Sequence, residues 1–403
     1  MTDTRFTLHR RTLLAGASAL AGSLALPGIV RAQAGPIKLA TLTPLTGAGG
    51  PYGPVMVKAV KAVVDEVNAA GGVIGRKIEL ISEDDQTNPE AGLRAARKLI
   101  DVDKVSAIMG TWASSVTTAI APLCWESKTF LATVSGADSI TLLPHQGYLI
   151  RTQPNTTLQG RKFGEFALEQ GAKTVFFLTP QTPFADSQFA NIKAAVEKGG
   201  GKAERLIYDD KKPSYRSEVD QALAAKPAAL IFGGYTPDTT VLLKDVFKAG
   251  YTGKKIAFAY SVNAKLLEGM PAEAVEGIFT IAPSPAEGSD AHKRLVSMIG
   301  VANPDPYTTQ VYDQINLIVM AIAMAKDASG TAIRDAVRKV SQAAGGEKVT
   351  NALDGLKAIA AGKSVNFDGA SGPCDFTDLG DILDCRFRYE QVKAGKLTLV
   401  KIA

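Results

Sequence analysis

The chain is poor in the residues that most often carry chemistry. It has 403 residues but only three histidines, three cysteines and two tryptophans. His9 falls in the first 34 residues, which leaves His145 and His292, neither with Cys, Asp or Glu at metal-ligand spacing. That argues against a zinc site. There is no Gly-x-Ser-x-Gly elbow and no Walker loop, and no constellation of acid, base and nucleophile can be assembled. Neither an enzyme nor a cofactor is therefore expected. Lys and Arg form no basic stripe, and residues 1–34 contribute +3 of the formal net charge of +5. The remaining +2 gives no reason to expect nucleic acid as a partner. Beyond residue 34 no apolar run reaches the roughly 20 residues of a membrane span.

What is present is an ordinary globular composition, 46% apolar and 21% charged, long enough for two or three folding units. The first 34 residues read as an address. His9-Arg10-Arg11-Thr12-Leu13-Leu14 is a twin-arginine pattern, followed by an apolar small-residue stretch from Leu13 to Leu26. Val30-Arg31-Ala32 and Ala32-Gln33-Ala34 each offer a cleavage site. Export to the periplasm is the expectation. Cys374 and Cys385 flank a turn-rich segment, Asp375 to Asp384, that could lay two strands side by side, so they are a candidate disulfide. Cys124, in an apolar helical stretch, is expected to be a buried free thiol.

From residue 35 the pattern is strand, loop, helix, repeated. Strands are predicted at Ile37–Leu42, Ile78–Ser82, Val105–Met109 and Phe130–Val134, with helices between them, including Ser114–Glu126. Asn88-Pro89-Glu90 reads as a capped helix start. After Pro154 the theme restarts, with strands at Thr174–Leu178, Glu204–Tyr208, Ala228–Phe232 and Lys255–Phe258. Helices then fit Thr309–Lys326 and Thr331–Ala344, before a β-rich tail from Val365 to Ile402. Alternation of this kind means parallel sheets covered on both faces. The prediction is an α/β protein of two doubly wound, Rossmann-like lobes.

Ligands of such sheets gather beyond the carboxyl ends of the strands. In the first block those ends carry Gly47-Ala48-Gly49-Gly50-Pro51-Tyr52-Gly53 and Gly110-Thr111-Trp112-Ala113-Ser114-Ser115. The first is no dinucleotide fingerprint, because Tyr52 stands where the third glycine belongs. The second opens a helix, whose free N–H groups with the hydroxyls of Ser114 and Ser115 suit a carboxylate. The plainer reading makes one serine an N-cap. In the second block Phe184 and Tyr235, after Gly233-Gly234, occupy corresponding ends. The run Glu83-Asp84-Asp85 is read as solvated or capping rather than cation-binding.

These segments resemble the leucine/isoleucine/valine-binding protein family, the type I periplasmic solute-binding proteins of ABC importers. The resemblance rests most on Asn68-Ala69-Ala70-Gly71-Gly72-Val73-Ile74-Gly75-Arg76-Lys77 running on to Asp84-Asp85. Leu42-Thr43-Pro44-Leu45-Thr46-Gly47, Ser135-Gly136-Ala137, Gly233-Gly234-Tyr235-Thr236-Pro237 and Tyr312-Asp313 are similar too. It implies three hinge crossings, with a first lobe of residues 35–154 plus 284–388 and a second of 155–283 plus 389–403. It also implies a cleft that closes on a small-molecule ligand and membrane permease subunits as partners. Carried over, Ser114, with Ala113 and Ser115 beside it, would hold a carboxylate, Ala137 would offer its carbonyl to an amino group and Ser139 a hydroxyl. Tyr52 and Trp112 would wall one side, while Phe184 and Tyr235 close from the other. Two departures stand out. Phe184 replaces a tyrosine, and Ser261 stands where amino-acid binders carry the acid that pairs an ammonium. Either Asp138 or another acid takes over, or the ligand is not a simple α-amino acid but an aromatic acid, dicarboxylate or urea-like amide. A sensory or regulatory receptor with the same cleft is the alternative function.

Overall fold

A computed structural model of the protein describes residues 35–403, together with Met1 and Thr2; the twin-arginine pattern and both cleavage candidates lie outside the described residues. The first sheet is wholly parallel, in the order β2-β1-β3-β4-β5. Its strands are β1 (Ile37–Thr43), β2 (Ile78–Asp84), β3 (Ala107–Thr111), β4 (Phe130–Thr133) and β5 (Leu149–Arg151). β3 and β4 are buried along their whole length, as strands covered on both faces must be, and they read as apolar and threonine runs rather than as alternation. The covering helices are α1 (Gly53–Ala69), α2 (Pro89–Arg97) and α3 (Ser114–Glu126). α1 buries Met56, Val60, Val63, Val64 and Val67, the spacing of one helical face. α2 starts where the sequence placed it, with the Asn88 side chain accepting from the Ala91 N–H and Pro89 in the first turn.

The second sheet repeats the order. α4 (Thr156–Glu169) leads into β6 (Thr174–Pro180), α5 (Pro183–Lys198), β7 (Lys202–Tyr208), α6 (Arg216–Ala224), β8 (Ala229–Phe232), α7 (Thr236–Lys248) and β9 (Lys254–Phe258). The short helices α8 (Ala264–Glu268) and α9 (Ala272–Val275) precede β10 (Phe279–Pro283). The chain then returns to the first lobe as α10 (Asp290–Ile299), α11 (Pro306–Ala325), α12 (Gly330–Ser341), β11 (Glu347–Val349), α13 (Ala352–Ala360) and β12 (Val365–Phe367). It ends in the second sheet as β13 (Phe387–Lys393) and β14 (Lys396–Ile402). The sheet order is β14-β13-β10-β9-β8-β6-β7, parallel from β7 to β10 and antiparallel for the last two strands. The protein is therefore a pair of doubly wound α/β lobes joined by three crossings: after β5, after β10 and before β13.

Three differences from the expected pattern have local causes. β5 is only three residues long, too short for its pattern to show. β10 ends in Pro283 and follows a helix of four residues, so it lacks the usual spacing. β13 begins at Phe387, already paired with Pro283, so the third crossing comes before the expected boundary at 388. The disulfide is a correction, since all three cysteines are free. The antiparallel bridge Phe376–Ile382 does turn the segment back, but Cys374 sits in the core of the first lobe while Cys385 packs on that of the second. The two thiols belong to different lobes and face different neighbours.

α11 is the spine of the first lobe, buried continuously from Thr308 to Ile322. Its polar side chains are hydrogen-bonded, except that the Gln310 Oε1 has no partner. Asp313 accepts from the Ala370 and Ser371 N–H groups, Gln314 accepts from Gly110 and donates to Thr152, and Gln310 donates to Gln153 at 2.6 Å. Thr152 and Gln153 form the first crossing, so α11 holds the hinge and the end of β3 at once.

Candidate functional site

In a sheet ordered 2-1-3-4-5 the connections leave in opposite directions after the first and third strands, opening a crevice at their carboxyl ends. Both lobes have that order, and the two crevices face each other. Between them lies a small cavity of about 40 Å³. Its walls from the first lobe are Trp112, Ala113, Ser114, Val134, Gly136 and Tyr307, with Gln153 at the crossing; from the second lobe come Pro180, Thr182, Phe184, Gly233, Tyr235 and Tyr260.

The first wall is set by a buried hydroxyl network. Gly110, at φ +85°, makes the bulge that shifts the β3–β4 register, and a Cβ there would lie 2.8 Å from Thr43. Beyond the bulge the Thr111 hydroxyl donates to Thr133 at 2.9 Å, Thr117 donates to Thr111 at 2.8 Å, and Ser135 donates to the Trp112 carbonyl at 3.0 Å. Every member is buried and partnered, which fixes the backbone of Trp112. α3 then starts with Ala113 at its N-cap and no side-chain cap. Neither Ser114 nor Ser115 caps it, so the plainer reading of those serines fails. The Ser114 hydroxyl, 5% exposed, accepts from the Ala137 N–H at 3.2 Å and keeps its own proton to donate. The uncapped end of a 13-residue helix beside that hydroxyl favours a negative group.

Aromatic rings from both lobes close the cavity. Trp112 lies 5.5 Å from Tyr235, 5.8 Å from Tyr260 and 5.6 Å from Tyr307, ring centre to ring centre, and meets the last two edge-on. Phe184 reaches Tyr260 at 6.1 Å. A Cβ on Gly136 would stand 2.7 Å from the Phe184 ring, so glycine is what lets the lobes approach there. Burial raises the Tyr235, Tyr260 and Tyr307 phenols well above their ordinary value, and pushes Tyr52 up to about 12. All four are neutral hydrogen-bonding groups near neutral pH.

The structure brings Trp112, Ala113, Ser114, Phe184 and Tyr235 to the cavity. Ser115 is half-buried on the next turn position and does not line it. Tyr52 stacks behind Trp112 at 5.6 Å and faces a separate space beside Asn263 and Asp305. Four expectations fail because the groups are engaged or turned away. The Ala137 carbonyl accepts from Arg151 Nη1 at 2.6 Å. Asp138 accepts from the Thr157 N–H and hydroxyl and from Asn191 Nδ2 at 2.8 Å. Ser139 points to solvent, and the Ser261 hydroxyl donates to the Gly234 carbonyl. The acidic run is only partly as expected: Glu83 and Asp84 are half-buried surface groups, whereas Asp85 is fully buried and neither solvated nor a helix cap. Glu83 pairs with Lys98, Asp84 gathers the Leu45, Thr46 and Gln86 N–H groups, and Asp85 accepts from Thr87. No group of three or more His, Cys, Asp or Glu that could hold a metal occurs among the described residues.

Tyr260, Tyr307, Gln153 and Thr182 were missed. Tyr260 follows β9 as Tyr235 follows β8, so the strand-end rule could have found it. Tyr307 opens α11, far along the chain, and no local pattern marks it.

The sequence profile of a family described as periplasmic binding protein matches residues 36–395. A leucine-, isoleucine-, valine-, threonine- and alanine-binding protein of Pseudomonas aeruginosa is 26% identical over 312 residues, 75% of this chain and 82% of that protein. A leucine binding protein of Thermotoga maritima superposes with a TM-score of 0.78 at 22% identity, covering 91% of this chain and 98% of its own. A solute binding protein of an ABC transporter from Rhodopseudomonas palustris, in complex with 3,4-dihydroxybenzoic acid, gives 0.72 at 23%, covering 91% and 97%. At these identities the two structures establish a shared two-lobed fold.

Proposed function

The chain belongs to the periplasmic binding protein family, and on that premise we propose that it is the extracytoplasmic receptor of an ABC importer, capturing a small carboxylate between its lobes and handing it on unchanged. The observation that carries the reading is the uncapped N-terminus of α3, with Ser114 beside it, opening into a cavity walled by both lobes. A carboxylate there would take the orphan N–H groups and the serine proton, and the aromatic wall would cover the body of the ligand. Each lobe supplies part of the contacts, so ligand binding pulls an open–closed equilibrium toward the closed form. Residues 1–34 would direct export by the twin-arginine route, and permease subunits would receive the closed form.

Small-angle scattering tests the closure: a bound carboxylate should shrink the radius of gyration, and an unchanged profile at saturation overturns the reading. Ser114→Ala should weaken binding of that carboxylate by about 1–3 kcal/mol, the cost of leaving a charged acceptor short of a donor. Unchanged affinity in calorimetry removes Ser114 from the site.

A further inference from the structure

Resting on that reading of the cleft, we infer that the ligand is a carboxylate whose body is apolar and carries no ammonium group, so that α-amino acids are rejected. The inventory of the cavity is one-sided. None of its lining residues bears a charge: rings, hydroxyls, one amide and backbone make up the wall. A carboxylate has the end of α3 and Ser114 to meet it, but an ammonium finds no charged counterpart.

The carboxylates around the cavity and the Ala137 carbonyl that could have served an ammonium are committed elsewhere, which leaves only phenol oxygens and ring faces. The Ala137 carbonyl, and the Ser135 carbonyl beside it, accept from the fully buried Arg151 guanidinium. A second cation at that carbonyl would lie against the first. Asp138 spends its oxygens on Thr157 and Asn191. Asp238 lies behind Gly234, where a Cβ would collide with its carboxyl group, and it accepts from the Tyr208 hydroxyl at 2.5 Å. Asp305 caps α11, accepting from the N–H groups of Tyr307 and Thr308. Ser261 offers a donor, and that donor is already used on Gly234. An ammonium closed into this space would meet ring faces and phenol oxygens but no carboxylate, a return that offsets only part of the cost of stripping its water. The rings of Trp112, Phe184, Tyr235, Tyr260 and Tyr307 present apolar faces and edges instead, suited to an aromatic or aliphatic body.

Matched pairs test this with the whole protein in titration calorimetry: 3-phenylpropanoate against phenylalanine, and 4-methylpentanoate against leucine, with benzoate alongside. The members of each pair differ only by the ammonium group. The expected result is that the acid lacking it binds at least 100-fold more tightly than its amino-acid partner. If an amino acid binds as tightly as its partner or more so, the inference is overturned while the receptor reading stands. If no member of the set binds, with or without the ammonium, both are overturned.

Discussion

The two lobes share a strand order and differ in what fills them. The first has one continuous core laced with buried polar groups: the Thr111–Thr117–Thr133–Ser135 hydroxyls, the Arg151–Asp381 pair, and Gln310, Asp313, Gln314 and Asn316 on α11. The second has two apolar clusters, one of them crowded with Phe163, Phe166, Phe177, Phe258, Phe279, Phe387 and Tyr389. Hydrogen bonds are directional and fix one arrangement, whereas ring contacts tolerate sliding. The lobe that presents the helix end is built to stay put, and the lobe that brings Phe184, Tyr235 and Tyr260 is built to pack against what arrives. On this view the first lobe anchors the ligand and the second covers it.

The sharpest way to break that contrast is to remove one partner of the buried pair. Arg151 is fully buried, its guanidinium bound to Asp381 and its backbone N–H to the Gly380 carbonyl at 2.8 Å. Asp381→Ala leaves that cation without its counter-charge, and we expect a loss of about 3–5 kcal/mol in urea unfolding. A loss under about 1 kcal/mol would show that the polar lacing is not what holds the first lobe. Next in size is Trp112→Ala. Trp112 touches rings of both lobes and is 7% exposed, so its loss empties the centre of the contact. Binding of the carboxylate identified by the matched pairs should weaken about 100-fold or more, in line with truncation of a central aromatic anchor. Tyr260→Phe, which removes only a hydroxyl bonded to the Gly233 carbonyl at 3.2 Å, should cost less than about tenfold.

The pH dependence of stability follows buried carboxyls in both lobes. Burial pushes the carboxyls of Asp85 and Asp313 up to about 7 and that of Asp238 up to about 6, from an ordinary 3.8. Each holds its proton more tightly folded than unfolded. Its contribution is therefore complete below pH 4 and is lost as pH rises toward 6 or 7. Burial lowers His145 and His292, which act with the opposite sign below about pH 6.5. Asp313→Asn should remove a slope on the order of 1 kcal/mol per pH unit between pH 5 and 7. A slope identical to the wild type in pH-dependent urea melts would mean that Asp313 is charged in the folded state.

The two doubly wound lobes were legible in the sequence, whereas the different filling of their cores was not, and the failures share a cause. Strand ends could be read because apolar runs stop at glycine or proline, and the residues that rule singled out, Trp112, Phe184 and Tyr235, line the cavity between the lobes. What could not be read is which way a residue faces once the strand is over. After β9 the serine turns back to Gly234 while the tyrosine one residue earlier turns into the cavity, a difference of one position that no periodicity fixes. Asp138 illustrates a second limit. Its type and place were right for a ligand, but its hydrogen bonds go to Thr157 and Asn191, partners supplied by chain that lies further on. Arg151 shows the same limit from the other side: nothing local announces that it will fold onto Asp381.

Those bonds of Asp138 bear on closure itself, and they give the smallest expected effect. Asp138 follows β4 in the first lobe, whereas Asn191 and Ser187 lie on α5 in the second. Asn191 Nδ2 donates to the carboxylate at 2.8 Å, and the Asp138 N–H donates to the Ser187 hydroxyl at 3.3 Å. Thr157 opens α4, just past the first crossing, and so also belongs to the second lobe. The bonds to α4 and α5 thus all join one lobe to the other. Asn191→Ala should therefore leave the anchoring end of α3 intact yet make the closed form less favourable by about 0.5–1 kcal/mol, the worth of one hydrogen bond to a charged group that keeps other donors. Ligand affinity should fall about two- to fivefold, with a faster off-rate and little change in the on-rate, because the first encounter is with the other lobe. If the on-rate falls instead, α5 takes part in first contact, and the division into an anchoring lobe and a covering lobe is wrong.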